Sequence, residues 1–246
     1  MSNCKKYIAN RFKSLRNALK TYPVIKDPEA LHQFRVEFKK LKALYLLAKS
    51  CHPDIPTSKS FKKIRKFYKE SGMVRDSDII GQLLEKNKIS LTCPEAATAE
   101  AKKLKSIDRL CRHIPAILHA VRNFEKQLIR NTSRLTADCI KKYLSEKEAA
   151  IQYKIEHPDT AAVLHDIRKE IKRLKYTADM EPGFIQKRKL SRYNTLQDRI
   201  GNWHDKLVLI DYLEAIQPGN RRPINKLLEE SSRNADAIKN SLLTLV

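Results

Sequence analysis

Residues 31–44 of this chain read LHQFRVEFKKLKAL, and residues 164–177 read LHDIRKEIKRLKYT. At a constant offset they share Leu31/Leu164, His32/His165, Arg35/Arg168, Glu37/Glu170, Lys39/Lys172, Leu41/Leu174 and Lys42/Lys175. On a helix turning about 100° per residue, His32, Arg35, Lys39 and Lys42 fall within an arc of about 80°. Phe34, Phe38, Leu41 and Tyr45 fall on the arc beside it. One stripe can enter a core while its neighbour presents a row of cations. Such a row suits the holding of anions: Arg forks onto two oxygens, Lys acts as a point charge, and His responds to pH. Successive cations on the row stand about 5 Å apart, one helical turn.

A second motif follows each row. Gly-Met-Val-Arg-Asp at residues 72–76 is answered by Gly-Asn-Trp-His-Asp at residues 201–205, giving G-x-x-[RH]-D twice. Arg75 and His204 occupy its variable basic position. Asp76 and Asp205 are expected to cap helices or orient arginines. Gly72 and Gly201 are expected to stop helices, because no glycine-rich phosphate loop surrounds either. Arg65 and Lys69 in the first half, and Arg192 and Arg199 in the second, are further candidate contacts. Arg and Lys crowd the histidines, so no metal site is expected, and no cofactor.

The chain has 246 residues, with 50 Lys and Arg against 28 Asp and Glu, a net charge of +22. Self-repulsion on that scale favours a polyanionic partner. The composition, 41% hydrophobic and 32% charged, is that of a soluble globular chain. Cys4, Cys51, Cys93, Cys111 and Cys139 form no CxxC pair, so buried thiols and a reducing cytoplasm are expected, not a disulfide framework. The start of the sequence, MSNCKKYIANRFK, lacks the apolar core of a secretory signal, and no apolar run is long enough to span a membrane.

Five glycines and the absence of strand-like alternation predict an all-α fold. Helices are expected over residues 4–22, from Pro28 to about Ser50 (the first row), over 58–71, beyond Asp76 or Ser77 with Ile79, Ile80, Leu83 and Leu84, and over 93–130 with a kink at Pro115. Pro23 and Pro28 are expected to bracket a turn. Lys5-Lys6-Tyr7 then recurs as Lys141-Lys142-Tyr143, and His157-Pro158 precedes the second row as His52-Pro53 follows the first. Repetition at ~130 residues is too long for a solenoid and implies a tandem duplication. The expected architecture is two pseudosymmetric helical bundles, 1–134 and 135–246, packed together around a basic groove lined by both rows.

The duplicated order of L-H-x-x-R-x-x-x-K-x-L-K and G-x-x-[RH]-D resembles the CHAD family, the conserved-histidine α-helical domains, over essentially the whole chain. That resemblance implies non-enzymatic binding of inorganic polyphosphate by a basic central surface, with polyphosphate granules as an expected partner, and the chain is expected to be a stand-alone module. Residue by residue it carries over to His32, Arg35, Lys39, Lys42 and Arg75, and to His165, Arg168, Lys172, Lys175 and His204.

Two other classes compete. Sequence-independent nucleic-acid binding suits the charge, but no helix-turn-helix, zinc finger or aromatic platform is evident, leaving nucleic acid as a weak electrostatic competitor. A phosphohydrolase needs carboxylates for its metal, and a phosphotransfer histidine is ordinarily followed by H-x-x-K-G, whereas here HQFRV and HDIRK stand.

Overall fold

The computed structural model describes residues 2–91, 93–156, 161–180, 183–217, 219 and 221–243. Among them are eight helices and no strand: α1 Ser2–Ile25, α2 Pro28–Cys51, α3 Lys59–Lys86, α4 Pro94–Thr132, α5 Ala137–Glu156, α6 Ala161–Ala178, α7 Lys187–Ile216 and α8 Arg221–Leu243. The all-α expectation stands. Contacts divide the chain into two compact units. Unit 1 takes in Met1–Arg75, Lys103–Glu146 and Arg173–Phe184; unit 2 takes in Asp76–Lys102, Lys147–Lys172 and Ile185–Val246. The boundary expected near residue 134 falls in the turn between α4 and α5. His157-Pro158 lies outside the described residues.

Helix α1 runs through Pro23 instead of ending before it. The proline removes the N–H that would bond the Leu19 carbonyl, and little more than half a turn of α1 lies beyond it to be distorted. The turn is Lys26-Asp27. Lys26 takes a left-handed conformation, φ 49°, with its N–H on the Tyr22 carbonyl at 2.8 Å. Asp27 then caps α2, its carboxylate accepting the Glu29 N–H at 2.9 Å, with Pro28 at the first helical position.

In unit 1 α1 packs on α2, and Ile8, Phe12, Leu15 and Leu19 are buried with Phe34, Phe38, Leu41 and Tyr45. The stripe predicted to enter the core does so. Phe61 of α3 and Phe124 of α4 complete an aromatic cluster, with ring centroids 4.3 Å apart for Tyr45–Phe61, 5.4 Å for Phe61–Phe124 and 5.7 Å for Phe12–Phe124. Such pairs contribute about 1 kcal/mol each beyond area burial. The buried Tyr45 hydroxyl accepts the Ser58 N–H at 3.2 Å. In unit 2 α7 packs on α8, and Leu209, Ile210, Leu213, Ile224 and Leu227 form a core joined by Ile80, Leu83 and Leu84 of α3.

Three expectations need correction. Gly72 and Gly201 do not stop helices: each lies well inside one, α3 or α7. For the same reason Asp76 and Asp205 cap nothing; the four apolar residues expected on a separate fourth helix continue α3. The third concerns cysteine. Cys51 at the end of α2 and Cys139 in the first turn of α5 are joined by a disulfide, Cα atoms 5.8 Å apart across 88 residues. Their meeting depends on how α2 ends and α5 begins, which cysteine spacing cannot show, and it removes the ground for expecting a reducing compartment. Cys4, Cys93 and Cys111 form no disulfide and are half-buried. Around the bridge, Arg134 Nη1 donates to Asp54 at 3.0 Å, and the His52 ring lies 3.0 Å from the Arg134 carbonyl oxygen.

Closing a loop of 88 residues restricts the unfolded chain, a stabilisation of up to about 4 kcal/mol. Replacing Cys51 and Cys139 by serine should lower the urea midpoint of oxidised protein and abolish its sensitivity to dithiothreitol. Equal midpoints with and without reductant in the unaltered protein would show that the bridge contributes nothing.

Candidate functional site

Each basic row occupies the stripe beside a buried one. On α2, Phe34, Phe38 and Leu41 are fully buried while His32, Arg35, Lys39 and Lys42 are half-buried. On α6, Leu164, Ile167, Ile171 and Leu174 are buried while His165, Arg168, Lys172 and Lys175 are half-buried. A half-buried lysine lays its methylenes against apolar neighbours and keeps its ammonium at the edge. The rows therefore stand at the margin of packed surfaces, not on fully solvated faces.

In unit 1 the Arg35 guanidinium reaches α3. Nη1 donates to the Tyr68 carbonyl at 2.6 Å and to Ser71 Oγ at 3.0 Å, and the group lies 4.4 Å from the Tyr68 ring centroid. Charge-assisted bonds and a cation–π contact together fix its position. Arg75 is near enough to act on His32: burial, then the Arg75 charge, hold that imidazole below its usual pKa. His32 stands one turn inside α2, beyond the first N–H groups of the helix, so the dipole contributes less to anion binding there than its place in the sequence suggested.

In unit 2 the second G-x-x-[RH]-D motif meets the second row similarly. The His165 and His204 rings are 4.7 Å apart, centroid to centroid. Burial first, and then His204, depress the His165 pKa. His165 Nδ1 is buried with no hydrogen-bond partner. Lys175, the last member of this row, belongs to unit 1, because α6 passes from unit 2 into unit 1 along its length.

The remaining predicted contacts separate by face. Arg65 and Lys69 are exposed and lie within about 60° of Gly72 around α3. Arg192 and Arg199 are also exposed, but stand about 160–180° around α7 from Gly201. Arg199 bonds to Ser241 of α8 and opens on a cavity of about 450 Å³ lined also by Lys86, Lys206 and Glu230. Helix phase alone separates these two pairs, and the sequence already held it.

The shared glutamate of the motif had no assigned role. Glu37 is wholly buried, and its Oε1 receives Arg11 Nη1 at 3.2 Å, Lys40 Nζ at 3.0 Å and Gln33 Nε2 at 3.2 Å. In unit 2 Glu170 lies 3.9 Å from Lys147. Arg11 and Lys147 each stand four residues after the repeated Lys-Lys-Tyr, which is the signal that could have found them. The carboxylate ties the helix carrying each row to the helix that precedes it. Among the described residues no group of three or more His, Cys, Asp or Glu is placed to hold a metal, and no helix is long and apolar enough to cross a membrane.

The sequence model of the CHAD domain family matches residues 6–214, and the chain belongs to that family. The crystal structure of the CHAD domain from the plant Ricinus communis is similar in fold, with a TM-score of 0.75 at 18% identity over 98% of this chain and 90% of that one. No curated protein matches the sequence.

The depressed histidines make the ligand-free protein acid-sensitive. In the unfolded chain both imidazoles titrate near their ordinary value, so below pH ~6.5 the unfolded state binds more protons than the folded one. Their contribution is present above that pH and is lost as pH falls towards the folded pKa. Urea midpoints should therefore decline from pH 7.5 to pH 5.5, roughly the span in which histidine titrates, and the decline should be shallower in His32→Gln with His165→Gln. An identical decline in the double variant would exclude these residues as its source.

Proposed function

We propose that this CHAD-domain chain is a non-enzymatic binder of inorganic polyphosphate, holding the polymer along the stripes of α2 and α6. The observation that supports this most is the repeated construction of the rows. On both helices a histidine, an arginine and two lysines share one stripe at the edge of a packed surface, in a chain of net charge +22. A cation each turn, about 5 Å apart, suits a linear polymer charged at every phosphate. Such a stripe reads charge and spacing without requiring a base or a sugar. The CHAD resemblance implies the same ligand.

Binding of this kind releases counterions and weakens with salt, by about 0.7 of a logarithmic unit per phosphate neutralised on a flexible single strand. Replacing Lys39, Lys42, Lys172 and Lys175 by alanine should make the plot of log affinity against log salt shallower by about 3 units, if each lysine holds one phosphate. Titration of long-chain polyphosphate at several salt concentrations checks it; an unchanged slope would place the polymer elsewhere. Single-stranded DNA should compete weakly at equal phosphate concentration. Efficient displacement by DNA would favour nucleic acid as the ligand.

Proton linkage carries a sign. Bound phosphate raises the His32 and His165 pKa values from their depressed state, so the complex takes up protons and affinity increases as pH falls. His32→Gln with His165→Gln should flatten that increase; the same pH profile in both proteins would contradict it.

A further inference from the structure

Glycine inside a helix is less stable than alanine, yet Gly72 and Gly201 are both buried in the interiors of long helices. Neither takes the left-handed backbone that would require glycine; among the described glycines only Gly183 has a positive φ. At Gly201 the explanation lies in what faces it. A Cβ on Gly201 would stand 2.9 Å from Arg168 Nη2 and 3.1 Å from its Nε, closer than such atoms pack. A Cβ on Gly72 would stand 3.4 Å from Arg35 Nη1 and 3.6 Å from Nη2, ordinary contact distances that leave Arg35 where it is. Gly81, also in α3, would meet nothing within 4 Å. The same pairing, row arginine against motif glycine, thus occurs in each unit.

We infer that Gly201 is a positioning residue, leaving a notch in α7 that seats the guanidinium of Arg168. In the first unit Arg35 lies against Gly72 but is held by the Tyr68 carbonyl and Ser71 Oγ. At Gly201 the approach is tighter, and Arg168 Nε lies buried in the notch with no hydrogen-bond acceptor. The atoms that an added methyl group would strike are the far end of a flexible side chain, not backbone. A substitution therefore moves the cation and leaves the helix intact, with alanine even strengthening the helix. The glycine sets where the charge is presented. The consequence for phosphate binding rests on the function proposed above; the notch itself does not.

Four full-length proteins test this: wild type, Gly201→Ala, Arg168→Ala and the double variant, with Gly81→Ala as control. Arginine Nε–H resonances in ¹⁵N spectra report the seat, and the Arg168 signal is assigned by its loss in Arg168→Ala. The wild-type signal should be protected from exchange and should lose that protection in Gly201→Ala, whose melting temperature does not fall below wild type. Polyphosphate affinity should fall about tenfold in Gly201→Ala, and no further in the double variant than in Arg168→Ala alone. Gly81→Ala should melt higher and bind as wild type. A protected Arg168 signal persisting in Gly201→Ala, or losses of affinity that multiply in the double variant, would overturn the inference. If Gly201→Ala fails to fold, removing Arg168 as well must restore folding; continued failure also overturns it. Should wild type not bind polyphosphate, the proposed function fails, and the exchange of Arg168 Nε–H still decides the notch.

Discussion

A row of like charges on one helix is stable only where something other than solvent holds it, and here the adjacent buried stripe does so. Phe34, Phe38 and Leu41 anchor α2, and Ile167, Ile171 and Leu174 anchor α6, at close to no exposure. Burial of one such side chain is worth about 2 kcal/mol, against a few tenths for repulsion between neighbouring cations on a helix. Apolar packing therefore fixes the orientation of each row, and the cations follow from helical phase. Glu37 supplies a buried counter-charge where Arg11 and Lys40 converge.

The two motifs become one structure at this level. The histidine and arginine of each row face the helix that carries the following G-x-x-[RH]-D: Arg35 and His32 meet Ser71, Gly72 and Arg75, while Arg168 and His165 meet Gly201 and His204. The first unit holds its arginine with hydrogen bonds and a tyrosine ring, the second by close approach to the backbone. The lysines stand further along each stripe, half-buried like the histidine and arginine.

Much of this was legible in the sequence because helix periodicity is local. The buried stripe of α2, the companion stripe of cations and the all-α class follow from spacing alone. The motif pairing was visible as order, though not as contact. What was misread turned on residues with more than one meaning. Gly72 and Gly201 read as helix stops because glycine is common there, yet both lie inside long helices with a row guanidinium against each. Pro23 read as a boundary, although only a short end of α1 lies beyond it. The Cys51–Cys139 bridge was illegible, since it links residues whose proximity is a property of the fold. That Arg192 and Arg199 share the face of α7 opposite Gly201 follows from helix phase alone.

The central claim is that one stripe on α2 and one on α6 hold a phosphate polymer. Chemical-shift mapping of ¹⁵N-labelled protein during titration with long-chain polyphosphate, at physiological ionic strength, tests it most directly. The account predicts that the largest changes fall on His32, Lys39 and Lys42, on His165, Lys172 and Lys175, and on Arg75 and His204, with Arg192 and Arg199 little affected. Changes centred on the outer face of α7, or scattered evenly over surface lysines with no preference for either stripe, would contradict it.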